Sequence, residues 1–419
     1  MTAREAALKA VSAWRRSGAW SDLTFRKVLS GMPPLERALA TRIGYGVITY
    51  KLTLDECVRQ VSGIGLSRIE PLVLDILRVS AYQLLFMDKI PKSAAVDEGV
   101  RLTKNFAGKR AVSYVNAVLR KISRWDGLPE FPDLSTRLSY PQWFAQALTA
   151  QEGEERAVAF MQDGNTPPPL CLQLPKGGTL NVENARPHPF MPDCLLLDKS
   201  GGVEEIEGFR EGKFLVADAA ARLVVKCAAP KTGEKVFDAC AAPGGKTVLM
   251  HWETEGLRLT AGEMYPHRMS ILRETLAKYG IDGVQYTEGS AARRDQSLVG
   301  VFDLVLADVP CSGTGVIRKK PDIRYKKRDD VEAMPEIQKT ILGNLADYVA
   351  VGGRLVYATC SVLKAENDGI VDWFLNLRPD FAPDPFELTI GKAPDGRFTV
   401  WPPEHNMDGF FMARLRRIS

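Results

Sequence analysis

Residues 236–247 read Val-Phe-Asp-Ala-Cys-Ala-Ala-Pro-Gly-Gly-Lys-Thr, and no other stretch constrains the fold as much. Val236 to Asp238 form the end of a short buried strand, and the apolar run from Val248 opens a helix. Between them Pro243, Gly244 and Gly245 make a turn with little side-chain bulk, where a ligand can approach the backbone and meet the free N–H groups of the helix start. Strand, glycine turn and helix in that order is the nucleotide-cofactor end of a doubly wound sheet. The spacing is neither G-x-G-x-x-G nor that of a phosphate loop. Taken alone, Pro-Gly-Gly is also compatible with a plain tight turn.

The chain around this unit alternates between strand and helix from about residue 206. Strands are expected at 214–216, 236–238, 258–263, 284–286, 303–307 and 353–358, with a helix over 218–225 and others between the later strands. Short apolar runs bounded by turns suit strands buried on both faces of a parallel sheet, with ligands at their carboxyl ends. Residues 3–125 read as helices almost throughout, including a long apolar one opened by Pro71 and one that Ser93 would cap. Residues 126–205 hold a Pro- and Asp-rich linker, a helix from Pro141 to about Phe160 and a strand at 170–174. They are expected to form a small α+β linking domain.

Charge divides along the same lines. Residues 1–125 carry 21 Lys and Arg against 10 Asp and Glu, whereas the remainder carries 34 against 41. A basic helical domain on an acidic body points to a polyanion, nucleic acid first, although a helical domain with an excess of Arg would read the same way. Seven unpaired cysteines and four scattered histidines argue against a disulfide framework and against a metal site. No run of 18 apolar residues exists and the N-terminus lacks a signal-peptide core, so no membrane partner is expected; reduced thiols suit the cytoplasm, and a monomer is expected. The pattern Pro91-x-Ser-Ala-Ala-Val-x-Glu98 followed by Tyr114-Val-Asn-Ala-Val-Leu-Arg120 resembles the NusB-like RNA-binding domain over about the first 125 residues.

Four strand ends carry polar residues where a cofactor would lie: the 240–246 turn, Glu263, Ser290 after Gly289, and Asp308 in Asp-Val-Pro-Cys-Ser-Gly-Thr-Gly. Glu263 suits ribose hydroxyls, although an exposed helix-start Glu is an equal reading. Cys311 and Cys360 lie just beyond neighbouring strand ends, each beside small polar residues. Cys57, Cys171, Cys194 and Cys227 lie outside such motifs and read as structural, and Cys240 as a wall of the turn.

CAAPGGKT, DVPCSGTGVIRKKPDIR (308–324) and Tyr357-Ala-Thr-Cys-Ser361 resemble the S-adenosylmethionine-dependent RNA cytosine-C5 methyltransferases. With the NusB-like start and the Trp401-Pro-Pro-Glu-His-Asn-Met-Asp-Gly-Phe-Phe411 ending, the chain resembles the bacterial Sun/Fmu type over essentially its whole length. The resemblance implies three parts: an all-α NusB-like domain (1–125), the small α+β linking domain (126–205) and an α/β doubly wound, Rossmann-like class I methyltransferase domain (206–419). It implies 16S ribosomal RNA as partner and S-adenosylmethionine held by Cys240, Ala241, Ala242, Pro243, Gly244, Gly245, Lys246, Glu263, Ser290 and Asp308. Cys360 would be the nucleophile and Cys311 the residue that removes the C5 proton or releases product. Asp308 would meet the cytosine edge, and Lys246 would orient catalytic groups; its alternative is a surface lysine. Where the family usually carries an Asp, this chain has Ser290.

The chemistry accounts for the residue types. C5 of cytosine is a poor nucleophile until a thiolate adds to C6, which makes C5 able to attack a methyl sulfonium. Residues 313–328 place seven basic residues just beyond Cys311, with Arg318, Lys319, Lys320 and Arg324 expected on RNA phosphates. Two other readings stay open: a non-catalytic RNA-binding or assembly factor, and a DNA cytosine-C5 methyltransferase with Cys311 as nucleophile.

Overall fold

The computed structural model describes residues 1–18, 21–198 and 202–419. Two compact units result, Met1–Thr166 with Lys319–Tyr325, and Pro167–Arg318 with Lys326–Ser419.

The first unit is helical: α1 (Ala3–Ser17), α2 (Ser21–Val28), α3 (Pro34–Thr49), α4 (Lys51–Val61), α5 (Pro71–Phe86), α6 (Lys92–Leu102), α7 (Val112–Ser123), α8 (Leu134–Leu138), α9 (Gln142–Glu152) and α10 (Glu154–Asp163). Thr2 starts α1 through a capping box, its hydroxyl accepting from Glu5 N while the Glu5 carboxylate accepts from Thr2 N. Ala3, Ala6, Ala7, Ala10 and Val11 then bury one face. α5 opens on Pro71 and is buried on nearly every side, through Val73, Ile76, Leu77, Val79 and Ala81. Its fully buried Asp75 is tolerated because Ser12 Oγ, Arg15 Nε (2.8 Å) and Arg78 Nη1 (3.1 Å) all donate to it. Ser93 does not cap α6; Pro91 precedes the helix and Ser93 lies within its first turn.

The expected division at 125 and 205 is not where the compact units divide. Helices α8 to α10 join the first unit, α8 bonded to α4 and α9 and α10 packed in sequence behind it: Ser139 Oγ accepts from Leu52 N (2.9 Å), and Thr53 Oγ1 donates to Thr136 O (2.8 Å). The rest of the anticipated linking domain joins the second unit as a small antiparallel sheet, with strands β1 (Leu170–Gln173), β2 (Arg186–His188), β3 (Met191–Leu197) and β4 (Leu215–Val216) in the order β2-β3-β1-β4. β4, expected in the cofactor sheet, pairs with β1 instead. Arg222 of α11 (Ala219–Ala228) donates to Gln173 Oε1 (2.8 Å) and Asp193 Oδ2 (3.1 Å), tying this sheet to the helix that precedes the glycine turn.

The main sheet contains β5 (Lys235–Asp238), β6 (Arg258–Glu263), β7 (Gln285–Glu288), β8 (Phe302–Asp308) and β9 (Val349–Thr359), all parallel and in the order β9-β8-β5-β6-β7. Helices α12 (Gly245–Glu253), α13 (Pro266–Lys278), α14 (Arg328–Glu332), α15 (Met334–Tyr348) and α16 (Asp368–Leu377) fall between or after these strands. Beyond β9 the sheet turns antiparallel. β10 (Phe381–Pro383) pairs with β14 (Phe410–Arg417), which lies on β9 and also takes β13 (Arg397–Val400). β11 (Phe386–Leu388) and β12 (Gly391–Ala393) form a separate hairpin, and α17 (Pro402–His405) precedes β14. Two cores flank the sheet, one under α11 to α13 and one under α15 and α16. Among the described residues, no helix is long and apolar enough to cross a membrane.

Candidate active site

Sheet register brings the polar strand ends together. Asp308 of β8 lies opposite Ala358 of β9, two residues before Cys360, and Asp238 of β5 lies opposite Leu306 of β8. Strand order reverses around β5, so its carboxyl end and that of β8 flank the crevice where open α/β sheets bind ligands.

The turn after β5 closes through Gly244 N donating to Ala241 O (2.7 Å). Gly244 sits at φ +110°, which side-chain-bearing residues rarely adopt, and a Cβ there would lie 3.1 Å from Leu272 and 3.2 Å from Thr275. The glycine is therefore required by the backbone and by packing on α13, rather than by the approach of a ligand. At Gly245 a Cβ would meet only Leu215, at 3.8 Å.

A cavity of about 390 Å³ opens on this turn, lined by Asp238, Cys240, Ala241, Ala242, Pro243, Gly245, Lys246 and Asp308, with Leu215, Thr275 and Tyr279 among its other walls. Its volume is in the range of small-molecule sites. Asp238 is 1% exposed, and its Oδ2 accepts from Thr247 Oγ1 at 2.7 Å while Oδ1 has no protein partner. Burial pushes its carboxyl up to about 7, with Asp308 adding to the effect and Thr247 and Lys246 opposing it. A residue that lines the cavity and carries a buried oxygen without a protein partner fits a ligand that brings a donor, as a cofactor with an amino-acid end would.

Lys246 is not a surface lysine. Its ammonium donates to Asp308 Oδ2 at 2.5 Å and lies 5.1 Å from the centre of the Phe410 ring. Burial works against the charged form, but the Asp308 carboxylate outweighs it and holds Lys246 above the usual lysine value. Beside this pair, Cys311 Sγ and Cys360 Sγ are 3.2 Å apart. The hydrogen bond between them holds Cys360 below the ordinary thiol value against burial, with Asp308 opposing the shift and Lys246 adding to it. The same bond, followed by burial, the charge on Cys360 and the nearby Glu366, pushes Cys311 well up. The two sulfurs are thus unequal, with the thiolate favoured on Cys360 and the proton on Cys311. Gly315 permits this closeness, since its N–H donates to Cys360 O (2.9 Å) and a Cβ there would collide with Gly409 O and Cys360 O.

The remaining expected site residues are placed as follows. Glu263 is buried, not an exposed helix-start residue; Oε1 accepts from Met264 N (2.8 Å) and Tyr265 N (2.9 Å), while Oε2 meets Arg268 Nη1 at 3.5 Å. Ser290 Oγ accepts from Ala292 N within its own turn. Gly244, Glu263 and Ser290 lie outside the cavity lining. Burial pushes the Cys240 thiol well up, as a wall residue's would be. Cys57, Cys171, Cys194 and Cys227 are buried.

Arg324 requires a correction. It is 1% exposed in the first unit, where its guanidinium donates to Thr49 O, Ser139 O, Asn165 Oδ1 and Gly164 O and stacks 4.2 Å from the Tyr140 ring centre. With both Nη atoms bonded to these groups and the side chain buried, it is a structural arginine, not a phosphate contact. Arg318 donates to Asn406 Oδ1 (3.2 Å), Lys319 is half-buried, and the exposed Lys320 pairs with Asp22 at 3.6 Å.

Sequence reading passed over Asp238, Thr247 and Phe410. An acid closing a strand before a glycine turn was a usable signal for Asp238; nothing local marks Phe410, which reaches Lys246 only because β14 is laid antiparallel on β9.

Residues 225–416 match the family described as 16S rRNA methyltransferase RsmB/F, and residues 1–124 match the NusB family. The chain is 31% identical to the probable ribosomal RNA small subunit methyltransferase B of Bacillus subtilis over 446 residues, covering 99% of this chain and 98% of the relative. It is 33% identical to the ribosomal RNA small subunit methyltransferase B of Vibrio cholerae, covering 92% and 90%. The crystal structure of PH0851 shares the fold, with a TM-score of 0.81 at 24% identity over 99% of this chain and 98% of that one. So does NSun6 from Pyrococcus horikoshii, solved with SFG, with a TM-score of 0.56 at 17% identity over 67% and 99%. With near-complete coverage at this identity, and with the paired cysteines and glycine turn assembled at one sheet edge, the chain belongs to the 16S rRNA methyltransferase RsmB/F family.

Proposed function

We propose that this protein methylates C5 of a cytosine in 16S ribosomal RNA, of the position-967 type by resemblance, through a covalent bond between Cys360 and C6. The observation that carries the reading is the 3.2 Å cysteine pair beside the Lys246–Asp308 ion pair. S-adenosylmethionine, when bound, supplies an electrophilic methyl sulfonium. Asp238 Oδ1, without a protein partner beside the cavity, would accept from its ammonium, and Glu263 Oε2 would take the ribose hydroxyls. Ser290 retains a hydroxyl proton to donate on the adenine side.

The chain's own groups account for the order of events. Cys360, held as the stronger thiolate, adds to C6, and Asp308 with its paired Lys246 stabilises charge at the cytosine edge. Bond formation removes the negative charge of Cys360. With it go two of the causes that keep Cys311 protonated, the hydrogen bond to Cys360 and the Coulomb repulsion from it. Cys311 is therefore a better base once the adduct exists than before it, although burial and Glu366 still act on it. Having given its own proton to solvent, it takes the C5 proton after methyl transfer; the C5–H electron pair forms the C5–C6 double bond as the Cys360–C6 bond breaks, with that bond's pair returning to sulfur. The basic first unit and the Arg318, Lys319 and Lys320 stripe would supply phosphate contacts. A target base within a helix must be unstacked to reach Cys360.

The test is transfer from methyl-labelled cofactor to protein-free 16S RNA and to assembled small subunits, followed by nucleoside analysis. Label recovered as 5-methylcytosine supports the reading; label in another nucleoside, or none with either substrate, refutes it.

A further inference from the structure

The two cysteines leave different strands, yet their sulfurs must stay within hydrogen-bonding distance. Buried between their loops is a carboxyl group that touches neither sulfur by hydrogen bond. Glu366, 1% exposed, follows Cys360 by one short turn. Its Oε2 accepts from Ser312 N (2.8 Å), the residue after Cys311, and from Gln338 Nε2 (2.9 Å). Its Oε1 accepts from Ser361 Oγ (2.6 Å), the residue after Cys360, and from Ser312 Oγ. Gln338 also donates to Pro310 O (3.1 Å), the residue before Cys311. The Glu366 main chain is held in turn, its carbonyl accepting from Tyr357 OH at 2.6 Å.

We propose that Glu366 is the positioning residue of the cysteine pair, its single carboxyl group joining the loop of Cys311 to the loop of Cys360. The inference rests on the proposed two-cysteine chemistry. A buried carboxyl group with no cation among its hydrogen-bond partners is costly to keep, and here each oxygen takes two donors. Those donors come from both cysteine loops and from α15, so the group fixes a distance rather than filling space. Reach matters for this task more than charge. A glutamine of equal length can present its oxygen to Ser312 N and Gln338 while the serine hydroxyls turn to accept from its amide. An aspartate keeps the charge but is one methylene too short to reach both loops.

The experiment compares E366D, E366Q and the unaltered protein. Methyl-transfer turnover in E366D should fall about 100-fold, as expected when reacting groups move by about 1 Å, with cofactor affinity unchanged. E366Q should stay within about tenfold of the unaltered protein. A second readout needs no RNA and no cofactor. The pH midpoint for alkylation of Cys360 by iodoacetamide, followed by mass spectrometry of its peptide, should rise by about one unit in E366D as Cys311 draws away. E366D turning over as fast as E366Q, or an unmoved midpoint in E366D, overturns the proposal. Should E366D not fold, Ser361→Ala cuts the link on the Cys360 side alone; a turnover loss of about tenfold with a raised midpoint is then expected, and no change in either overturns the proposal. Cys360→Ala, run alongside, separates the two claims: activity that survives there refutes the two-cysteine chemistry itself, whatever Glu366 does.

Discussion

Replacing Asp238 by Asn should stabilise the ligand-free protein at high pH while weakening its hold on the cofactor. In the folded protein, burial raises this carboxyl from 3.8 to about 7. Below the unfolded value both states carry the proton and the contribution to stability is full. As pH rises, the unfolded chain ionises first, and the contribution is gone once pH has passed the folded value of about 7. A displacement of roughly three units corresponds to about 4 kcal/mol, an order-of-magnitude figure. Between about pH 5 and about pH 8, the original protein should therefore lose roughly 3 kcal/mol relative to Asp238→Asn. The amide keeps an oxygen for Thr247 Oγ1, so the folded structure need not rearrange. Urea unfolding of both proteins at the two pH values measures the difference, and calorimetry with the cofactor measures affinity, which should fall with loss of the acceptor. A stability difference that does not vary with pH, or that favours the original protein more as pH rises, would falsify the assignment of Asp238 as a carboxyl forced into burial.

Three further outcomes follow from the geometry. Gly244→Ala should cost about 1–3 kcal/mol in thermal or urea unfolding, because φ +110° and the contacts with Leu272 and Thr275 disfavour a Cβ; an unchanged midpoint would contradict this. Arg324→Ala should destabilise the first unit by about 3–5 kcal/mol by stranding its buried acceptors, whereas Lys319→Ala and Lys320→Ala should leave stability near unchanged, weaken RNA binding and flatten its salt dependence; an Arg324 variant that folds normally and loses only RNA affinity would reverse the assignment. Cys311→Ala should raise the pH midpoint of Cys360 alkylation by about one to two units, since a hydrogen bond to a charged sulfur contributes about 1.5–3 kcal/mol, and a midpoint that falls would mean the thiolate sits on the other cysteine.

What could be read from sequence was whatever local pattern encodes. The glycine turn, the strand ends at Asp308 and Thr359 and the helical first 125 residues announce themselves through spacing, small residues and apolar periodicity. Arg324 was misread for a physical reason: in a run of seven basic residues, sequence carries no sign of which guanidinium is buried against carbonyls more than 150 positions away. Glu366 and Phe410 are similar cases, since their partners lie on other loops and strands. That α8 to α10 join the first unit was not legible because they look like any amphipathic helices until α4 bonds to Thr136 and Ser139 at α8. β4 looked like one more strand of the main sheet because a two-residue strand has no pattern from which its partner can be read.

The measurement that reaches the proposed chemistry most directly is the partition of covalent RNA adduct between two variants. Each is incubated with labelled 16S RNA and cofactor and run on a denaturing gel. Cys311→Ala should accumulate a denaturant-resistant protein–RNA complex, because Cys360 can still add to C6 while the base that completes turnover is missing. Cys360→Ala should give neither adduct nor methylated RNA. An adduct that persists in Cys360→Ala and vanishes in Cys311→Ala would contradict the assignment and give the DNA-type arrangement, and the absence of adduct from both, with methylation undetectable in the unaltered protein, would leave only an RNA-binding role.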